Sequence, residues 1–387
     1  KHLLLKKNEE KRLLGGHQWI FSNEIQSIHG DPEAGDIVEL HRHDGKFLGI
    51  GAFHPHSLIS FRLLSTEREE VSFEFFERRI SRALELRKRL YPGSESFRLI
   101  HGEGDFLPGL IVDKYNEYIS VQTLSFGMDR RQTLICDVIE SLLHPKAIVE
   151  RNESPLRELE RLEARKGVLR GTLDHTIISE NGVKFKIDLM AGQKTGVFLD
   201  QRDNRQSVRR YVREGRVLDC FCNEGGFSLN AAEGKALSVE GVDSSDNAIA
   251  RANVNLTINQ AANVSFSVGD VFKVLDTHVK AGKKYDAIIL DPPSFTRSKK
   301  TIATALKGYK EINANALRLI NPGGFLLTAS CSHHVPEDVF FATIEQSARL
   351  AGRLVQLLES SGASPDHPVI PAMPETKYLK FGIFAVH

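Results

Sequence analysis

The 387-residue sequence has few cysteines, a single tryptophan and no long apolar run, and each shortage excludes something. Its four cysteines, at 136, 220, 222 and 331, form no pattern of evenly distributed pairs, which argues against a disulfide framework. That usage fits a reducing, cytoplasmic compartment. No stretch approaches the roughly 18 to 20 unbroken apolar residues that a membrane span requires. The opening Lys1-His2-Leu3-Leu4-Leu5-Lys6-Lys7 has neither an extended apolar core nor a small-residue cleavage site. It reads as the start of a strand, not as a signal peptide. The net charge is only +1, so no global excess of positive charge draws the chain to nucleic acid. Any such binding has to come from local patches. What is present is the composition of a soluble globular protein, 41% hydrophobic and 26% charged, in a chain long enough for two or three domains.

Residues 1 to 70 read as all-β. Asp36–Leu40, Phe47–Ile50 and Leu58–Leu63 are short strands separated by turn signals at Asp31-Pro32, Asp44-Gly45 and His54-Pro55. Strands this closely spaced suggest a small barrel. Val71 to Tyr91 then contains no Gly or Pro and places Phe76, Ile80, Leu84 and Arg87 on one helical face. Arg78, Arg79, Arg82, Arg87, Lys88 and Arg89 give it a basic surface. Leu110–Tyr115 and Tyr118–Thr123 form a hairpin across Asn116-Glu117, Asp129 to Leu143 is helical, and Ala147–Glu150 returns to strand. The charged run Arg157 to Lys166 reads as a solvated helix or linker. From residue 207 onward strands and helices alternate, with strands at 217–219, 236–242, 264–268, 287–290 and 325–328 and helices at 226–233, 246–260, 303–321 and 336–351. That order predicts a doubly wound, mostly parallel sheet.

The most informative segment is Arg216-Val-Leu-Asp-Cys-Phe-Cys-Asn-Glu-Gly-Gly-Phe-Ser228, an apolar strand ending in an acid, a small-residue loop and a helix start. Glycines there let a backbone approach a ligand at the carboxyl edge of a sheet. The pattern is not GxGxxG, which weakens a dinucleotide reading. Asp243 ends the next strand, 24 residues after Asp219, where a carboxylate can accept hydrogen bonds from ribose hydroxyls. Asp270 follows the third strand and can accept from an adenine amino group. Asp291-Pro292-Pro293 ends the fourth. One acid at a strand end is most simply a turn or helix cap; four in series are hard to assign to packing.

These motifs resemble the cofactor-binding series of class I methyltransferases. More specifically, Asp219–Asn230, Val242-Asp-Ser-Ser-Asp246, Asp291-Pro-Pro-Ser-Phe295 and Ser330-Cys-Ser-His-His334 resemble the bacterial large-subunit rRNA cytosine-C5 methyltransferases, the RlmI-like family. Gly192-Gln-Lys-Thr-Gly-Val-Phe-Leu-Asp-Gln-Arg-Asp-Asn-Arg205 is similar to that family's signature. Gly16-His-Gln-Trp-Ile-Phe-Ser22 is similar to the opening of its RNA-binding PUA domain. Asn223-Glu224 and Val197 depart from the family's usual residues. The resemblance spans essentially the whole chain and implies an α/β protein. Residues 1–70 would be a PUA-like barrel, 71–178 a small central α+β domain, and 179–387 a doubly wound Rossmann-like methyltransferase domain. It further implies S-adenosylmethionine as cofactor and large-subunit rRNA as partner, with a homodimer plausible for the family; no membrane and no metal are expected from the missing apolar run and the missing second ligand pair.

Residue by residue, the resemblance implies that Asp219 and the Gly225 region, with Cys220 beside them, hold the methionine end of the cofactor. Asp243 would hold the ribose and Asp270 the adenine. Gln193, Thr195 and Phe198 would form a wall over the cofactor, and Asp291 would lie by both cofactor and target base. Cys331 would be the nucleophile. Chemistry favours the last two roles, because carbon 5 of a pyrimidine becomes nucleophilic only after a thiolate adds to carbon 6. Asp291, as acid or hydrogen-bond partner at the ring nitrogen, would stabilise the charge created.

Blander readings stand beside these. A cysteine near a strand end is commonly a small buried hydrophobe, and Cys220 and Cys222 suit packing. Cys331 with His333 and His334 has no second ligand pair at zinc spacing. His41, His43, His54 and His56 read as surface loop residues, and Trp19 as core. Arg297, Lys299 and Lys300 follow the Asp291 motif and are placed for phosphates flanking a base. Rival functions are a guanine-nitrogen methyltransferase that dispenses with Cys331, a small-molecule or protein methyltransferase, and a non-catalytic RNA-binding or ribosome-assembly protein that keeps the cofactor fold.

Overall fold

The computed structural model describes residues 1–190, 197–296 and 298–387. The chain divides into two compact units. The first comprises Lys1–Ile178, Ile187–Leu199 and Pro365–Thr376; the second comprises Ser179–Lys186, Asp200–Ser364 and Lys377–His387.

The first unit contains a six-stranded and a five-stranded sheet. In the six-stranded sheet, strands His2–Leu5 and Ile37–His41 bury alternate residues, Phe47–Phe53 is buried beyond its first residue, and Leu3, Leu5, Val38, Leu40 and Phe53 share one core with Phe61 of Ile59–Ser65. The hairpin Leu110–Tyr115/Tyr118–Thr123 lies inside the five-stranded sheet, paired from Leu110↔Thr123 to Tyr115↔Tyr118. The helix Phe73–Leu90 turns Phe76, Ile80 and Leu84 into the core of that sheet.

Three readings of this unit need correction. Arg87 is not part of a basic surface: it is completely buried, donating to both Asp105 oxygens (2.5 and 2.7 Å) and to the carbonyls of Arg98 and Asp366. The run 157–166 is not a solvated helix. Its first part is a short 3-10 turn, Pro155–Glu160, in which Arg157 and Glu160 are buried, and Arg165 begins a strand. Arg157 pairs with Asp129 (2.9 Å), and Glu160 with Arg62 (2.5 Å). His54 is buried too, its ring nitrogen bonded to the Glu160 carbonyl (3.2 Å). In each case a charged or polar side chain entered the interior because a partner awaited it there. Trp19 is half-buried, its indole N–H donating to Glu103 (2.9 Å), while its neighbour Ile20 fills the core.

The second unit is built on a seven-stranded sheet. Its strands are β1 (Arg216–Cys220), β2 (Ser238–Asp243), β3 (Val264–Val268), β4 (Tyr285–Leu290), β5 (Ile320–Ser330), β6 (Val355–Ser361) and β7 (Lys380–Val386). They lie in the order β3-β2-β1-β4-β5-β7-β6, parallel except for the antiparallel β7. Successive residues serve opposite faces. Leu218, Ile288, Leu290 and Leu326 pack with helices α4 (Val271–Lys280), α5 (Ile302–Leu319) and α6 (Glu337–Ala351). Val217, Ala287, Ile289 and Leu327 pack on the other side with α2 (Gly226–Glu233), which follows α1 (Arg202–Ser207) in the chain. α3 (Asp246–Asn259) follows β2. Both faces are covered, which is why these strands read as nearly continuous apolar runs. The order reverses at β1/β4, so the carboxyl ends of those strands are where a doubly wound sheet offers its ligand crevice.

Candidate functional site

The loop between β1 and α2 carries unusual backbone geometry. Phe221 (φ 63°), Asn223 (φ 48°) and Gly225 (φ 81°) are all left-handed, a conformation that costs a non-glycine residue about 1 kcal/mol. Gly225 is required twice over, since a Cβ there would also stand 2.5 Å from the Phe266 ring. A Cβ on Gly226 would come within 2.8 Å of Arg205 Cδ. Asp243 holds this loop: one oxygen accepts from the Asn223 amide (3.0 Å), the other from the Ser245 amide (2.9 Å).

Asp219 is completely buried. Its Oδ2 accepts from Ser228 (2.6 Å), while Oδ1 has no hydrogen-bond partner among the described residues. Burial pushes its carboxyl up to about 7; the Ser228 bond opposes that, and the Asp291 and Asp243 carboxylates add to it. Three acids therefore converge on one glycine loop with an acceptor to spare. An orphaned buried carboxylate oxygen is costly unless a donor or cation arrives.

Asp291 follows β4, its amide bonded to the Cys220 carbonyl (3.4 Å) and its Oδ1 accepting from Gln201 (3.0 Å). Asn204 in turn donates to Gln201 Oε1 (2.7 Å), which fixes the Gln201 amide. Cys331 follows β5, the parallel neighbour of β4, and its Sγ lies 3.9 Å from the Pro292 carbonyl. It is half-buried, whereas Cys136, Cys220 and Cys222 are buried. The two loops are tied through hydroxyls. Ser294 meets Ser332 (3.1 Å), and Tyr309 from α5 meets Ser332 (2.8 Å) and Ser330 (3.0 Å). Phe295 packs on the Tyr309 ring, centroids 4.7 Å apart.

The structure thus brings Asp219, Gly225, Asp243, Asp291 and Cys331 to one end of the parallel strands. Asp270 is at the same end, after β3, and its Oδ1 caps α4 by accepting from the amides of Phe272 (3.0 Å) and Lys273 (3.3 Å). The Cys220 side chain points into the apolar core, and its burial pushes the thiol upward. Phe198 is half-buried, just ahead of the turn Leu199–Gln201. Gln193, Thr195 and Arg297 lie outside the described residues.

Sequence reasoning passed over Gln201, Arg205, Tyr309 and Lys380. Gln201 and Arg205 stand four apart in the quoted segment ending at Arg205, a helical spacing that could have marked them. Tyr309 and Lys380 had no local signal.

A family model described as S-adenosylmethionine-dependent methyltransferase matches residues 160–381, and one described as PUA-like domain matches residues 3–66. Ribosomal RNA large subunit methyltransferase I of Aeromonas hydrophila is 42% identical over 386 residues, covering 98% of this chain and 97% of its own. The protein of that name from Klebsiella pneumoniae is 40% identical over 385 residues, covering 98% and 96%. The solved structure of SMU.776, described as a methyltransferase complexed with SAH, superposes with a TM-score of 0.86 over 99% of each chain at 22% identity, a likeness of fold. The chain therefore belongs to the S-adenosylmethionine-dependent methyltransferases, in the family of ribosomal RNA large subunit methyltransferase I.

The site fits that family's cofactor on its own terms. A sulfonium and an ammonium are cations, and the glycine loop presents them with three carboxylates, one with a spare buried oxygen. Where Asn223-Glu224 departs from the family pattern, Asn223 bends the loop and Glu224 pairs with Arg251 (2.6 Å).

Proposed function

We propose that this protein methylates carbon 5 of a cytosine in large-subunit ribosomal RNA through a covalent adduct on Cys331. The observation that carries the reading is the placement of Cys331 beside the Asp291-Pro292-Pro293 loop, at the ends of adjacent parallel strands. Asp219 and the Gly225 loop would hold the methionine end of the cofactor, Asp243 the ribose and Asp270 the adenine. Gln193, Thr195 and Phe198 would wall it in. Bound S-adenosylmethionine supplies the methyl group as an electrophile.

Cys331 acts as a thiolate. Its sulfur bonds to carbon 6 of the base, and the ring's electron pair moves toward carbon 5 and the ring nitrogen. Asp291 hydrogen-bonds or protonates that nitrogen, offsetting the charge. Once carbon 5 carries the methyl group, its proton leaves to a base, the carbon–sulfur bond breaks, and the thiolate departs unchanged. Phe295 supports carbon rather than amino-nitrogen chemistry, because its ring is engaged with Tyr309 rather than offered to a base. The target base would have to be splayed from its stack. The PUA-like barrel (1–70), the central domain (71–178) and the exposed Arg78, Arg82, Lys88 and Arg89 would carry RNA outside the catalytic domain (179–387). An RNA substrate and four cysteines with no pattern of evenly distributed pairs support a cytoplasmic reaction.

The test is transfer of labelled methyl to unmodified bacterial rRNA by the intact chain, Cys331→Ala and Cys331→Ser. The expected result is label at cytosine carbon 5 and a loss of at least about 100-fold in both variants. Variants that still methylate would make Cys331 structural and restore the guanine-nitrogen reading.

A further inference from the structure

Lys380 opens β7 directly opposite Ser330 on β5, one residue before Cys331. It is only 4% exposed. Its ammonium donates to the carbonyls of Ser332 (2.7 Å) and Val335 (2.9 Å), the turn that follows the cysteine. No carboxylate bridges it among the described residues; Glu337, the acid whose field reaches it, is itself paired with Lys377. A buried ammonium without a carboxylate partner is expensive, and among the described residues the buried Arg87, Arg157 and Arg205 each have one. Of the two anions whose field reaches Lys380, the thiolate form of Cys331 weighs more than Glu337.

We propose that Lys380 is a positioning residue for the nucleophile, bracing the turn after Cys331 through two carbonyls and supplying the positive charge that favours its thiolate. The inference rests on the covalent reading above. Burial pulls the Lys380 amine down to about 8, and the Cys331 charge pulls it back up, so each ion favours the other. Among the described residues the other groups around the pair are Tyr309 from α5, Asp291 one residue before the Pro292 carbonyl that Cys331 Sγ meets, and His333 and His334 in the turn, together with Glu337 and Lys377. Asp291 is an acid and opposes a thiolate, which is why a nearby cation matters. Nζ is committed to main-chain oxygens, so Lys380 acts through Cys331 and its turn rather than on the base.

The test is alkylation of Cys331 by iodoacetamide as a function of pH, read by peptide mass spectrometry on the full chain. The three buried cysteines serve as internal controls. Lys380→Met removes the charge and the brace, Lys380→Gln removes the charge and keeps a donor, and Lys380→Arg keeps both. The expected result is alkylation at pH 7.5 slowed about tenfold in Met and Gln, the thiolate fraction lost when a thiol pKa rises by one unit. The midpoint should move to higher pH, and Arg should restore it. Methyl transfer should lose kcat with KM for RNA and cofactor unchanged, and should recover in part at high pH. Wild-type alkylation profiles in Gln and Met would overturn the proposal, and Gln serves if Met does not fold. If Cys331→Ala still methylates while the alkylation profile shifts, the covalent reading falls and the nucleophile-positioning role falls with it, leaving only an effect of Lys380 on the Cys331 thiol. If Cys331→Ala is inactive and the profile does not shift, the covalent reading stands and the Lys380 proposal falls.

Discussion

Two fully buried charges, Arg87 in the first compact unit and Asp219 in the second, are handled in opposite ways. In the first, Arg87 is fully enclosed and all three of its guanidinium nitrogens are matched, two by Asp105 and the rest by backbone carbonyls. In the second, Asp219 is equally enclosed, yet one of its oxygens has no donor among the described residues and two further carboxylates stand near it. A folded chain satisfies buried polar groups wherever only its own stability is at stake. An unmatched buried carboxylate oxygen at the carboxyl end of the parallel strands is one that a cationic ligand can complete. The same logic separates the cysteines: three are enclosed in apolar surroundings that suppress ionisation, while Cys331 is half-buried near a cation.

The comparison can be broken most forcefully at Arg87. Arg87→Met leaves Asp105 as an uncompensated buried charge and should cost about 3–5 kcal/mol of stability in denaturant unfolding. A loss below about 1 kcal/mol would mean the pair is no better matched than a surface ion pair.

Gly225→Ala comes next. It combines a left-handed backbone with a methyl driven into the Phe266 ring, and should weaken cofactor affinity at least tenfold, alongside about 1–3 kcal/mol of stability. Calorimetric titration with S-adenosylmethionine reads the first effect and thermal unfolding the second.

Asp219→Asn should separate the two units' behaviour. Loss of a charge-assisted contact predicts cofactor binding weaker by about tenfold to 100-fold. The free protein should behave differently. A carboxyl raised to about 7 on folding is penalised as pH climbs above its unfolded value, and the penalty is complete above 7. The Asn variant should therefore be more stable than the parent at pH 8 and show no gain near pH 4. Equal losses of stability and binding at pH 8 would put Asp219 in the same structural class as Arg87.

The smallest effect is the pH dependence of the unmodified protein. A cationic ligand favours ionised Asp219, so affinity should fall by up to about tenfold per pH unit below 7, with proton release on binding. A flat profile between pH 6 and 8 would show that Asp219 is already ionised in the free protein.

Much of this was legible in the chain. Periodicity placed α2 at 226–233 and the hairpin at 110–115 and 118–123, and the acids ending successive strands marked the carboxyl edge of the sheet. Those features are local: a two-residue alternation, a glycine that alone tolerates φ 81°, an acid just past an apolar run. Burial of charge was not legible. Arg157 looks like a surface residue in sequence, and Arg87 falls on both the apolar face and the basic set of its helix, because the groups that admit them, Asp105, Asp366, Thr123 and Asp129, come from other segments. Asp270 shows the converse, an acid whose capping of α4 is purely local and was always available.

The sequence by itself determined the doubly wound second unit, the glycine loop with its acids, and the cysteine at the end of a strand, since each depends on residues near in the chain. Only the tertiary structure decided which charges are paired. It set Gln201 on Asp291, Tyr309 between two loops, and Lys380 beside Cys331 across a β5–β7 pairing that joins residues 50 apart. A hydrogen bond or a field acts over a few ångströms, and no pattern along the chain says which distant residue will stand within that reach.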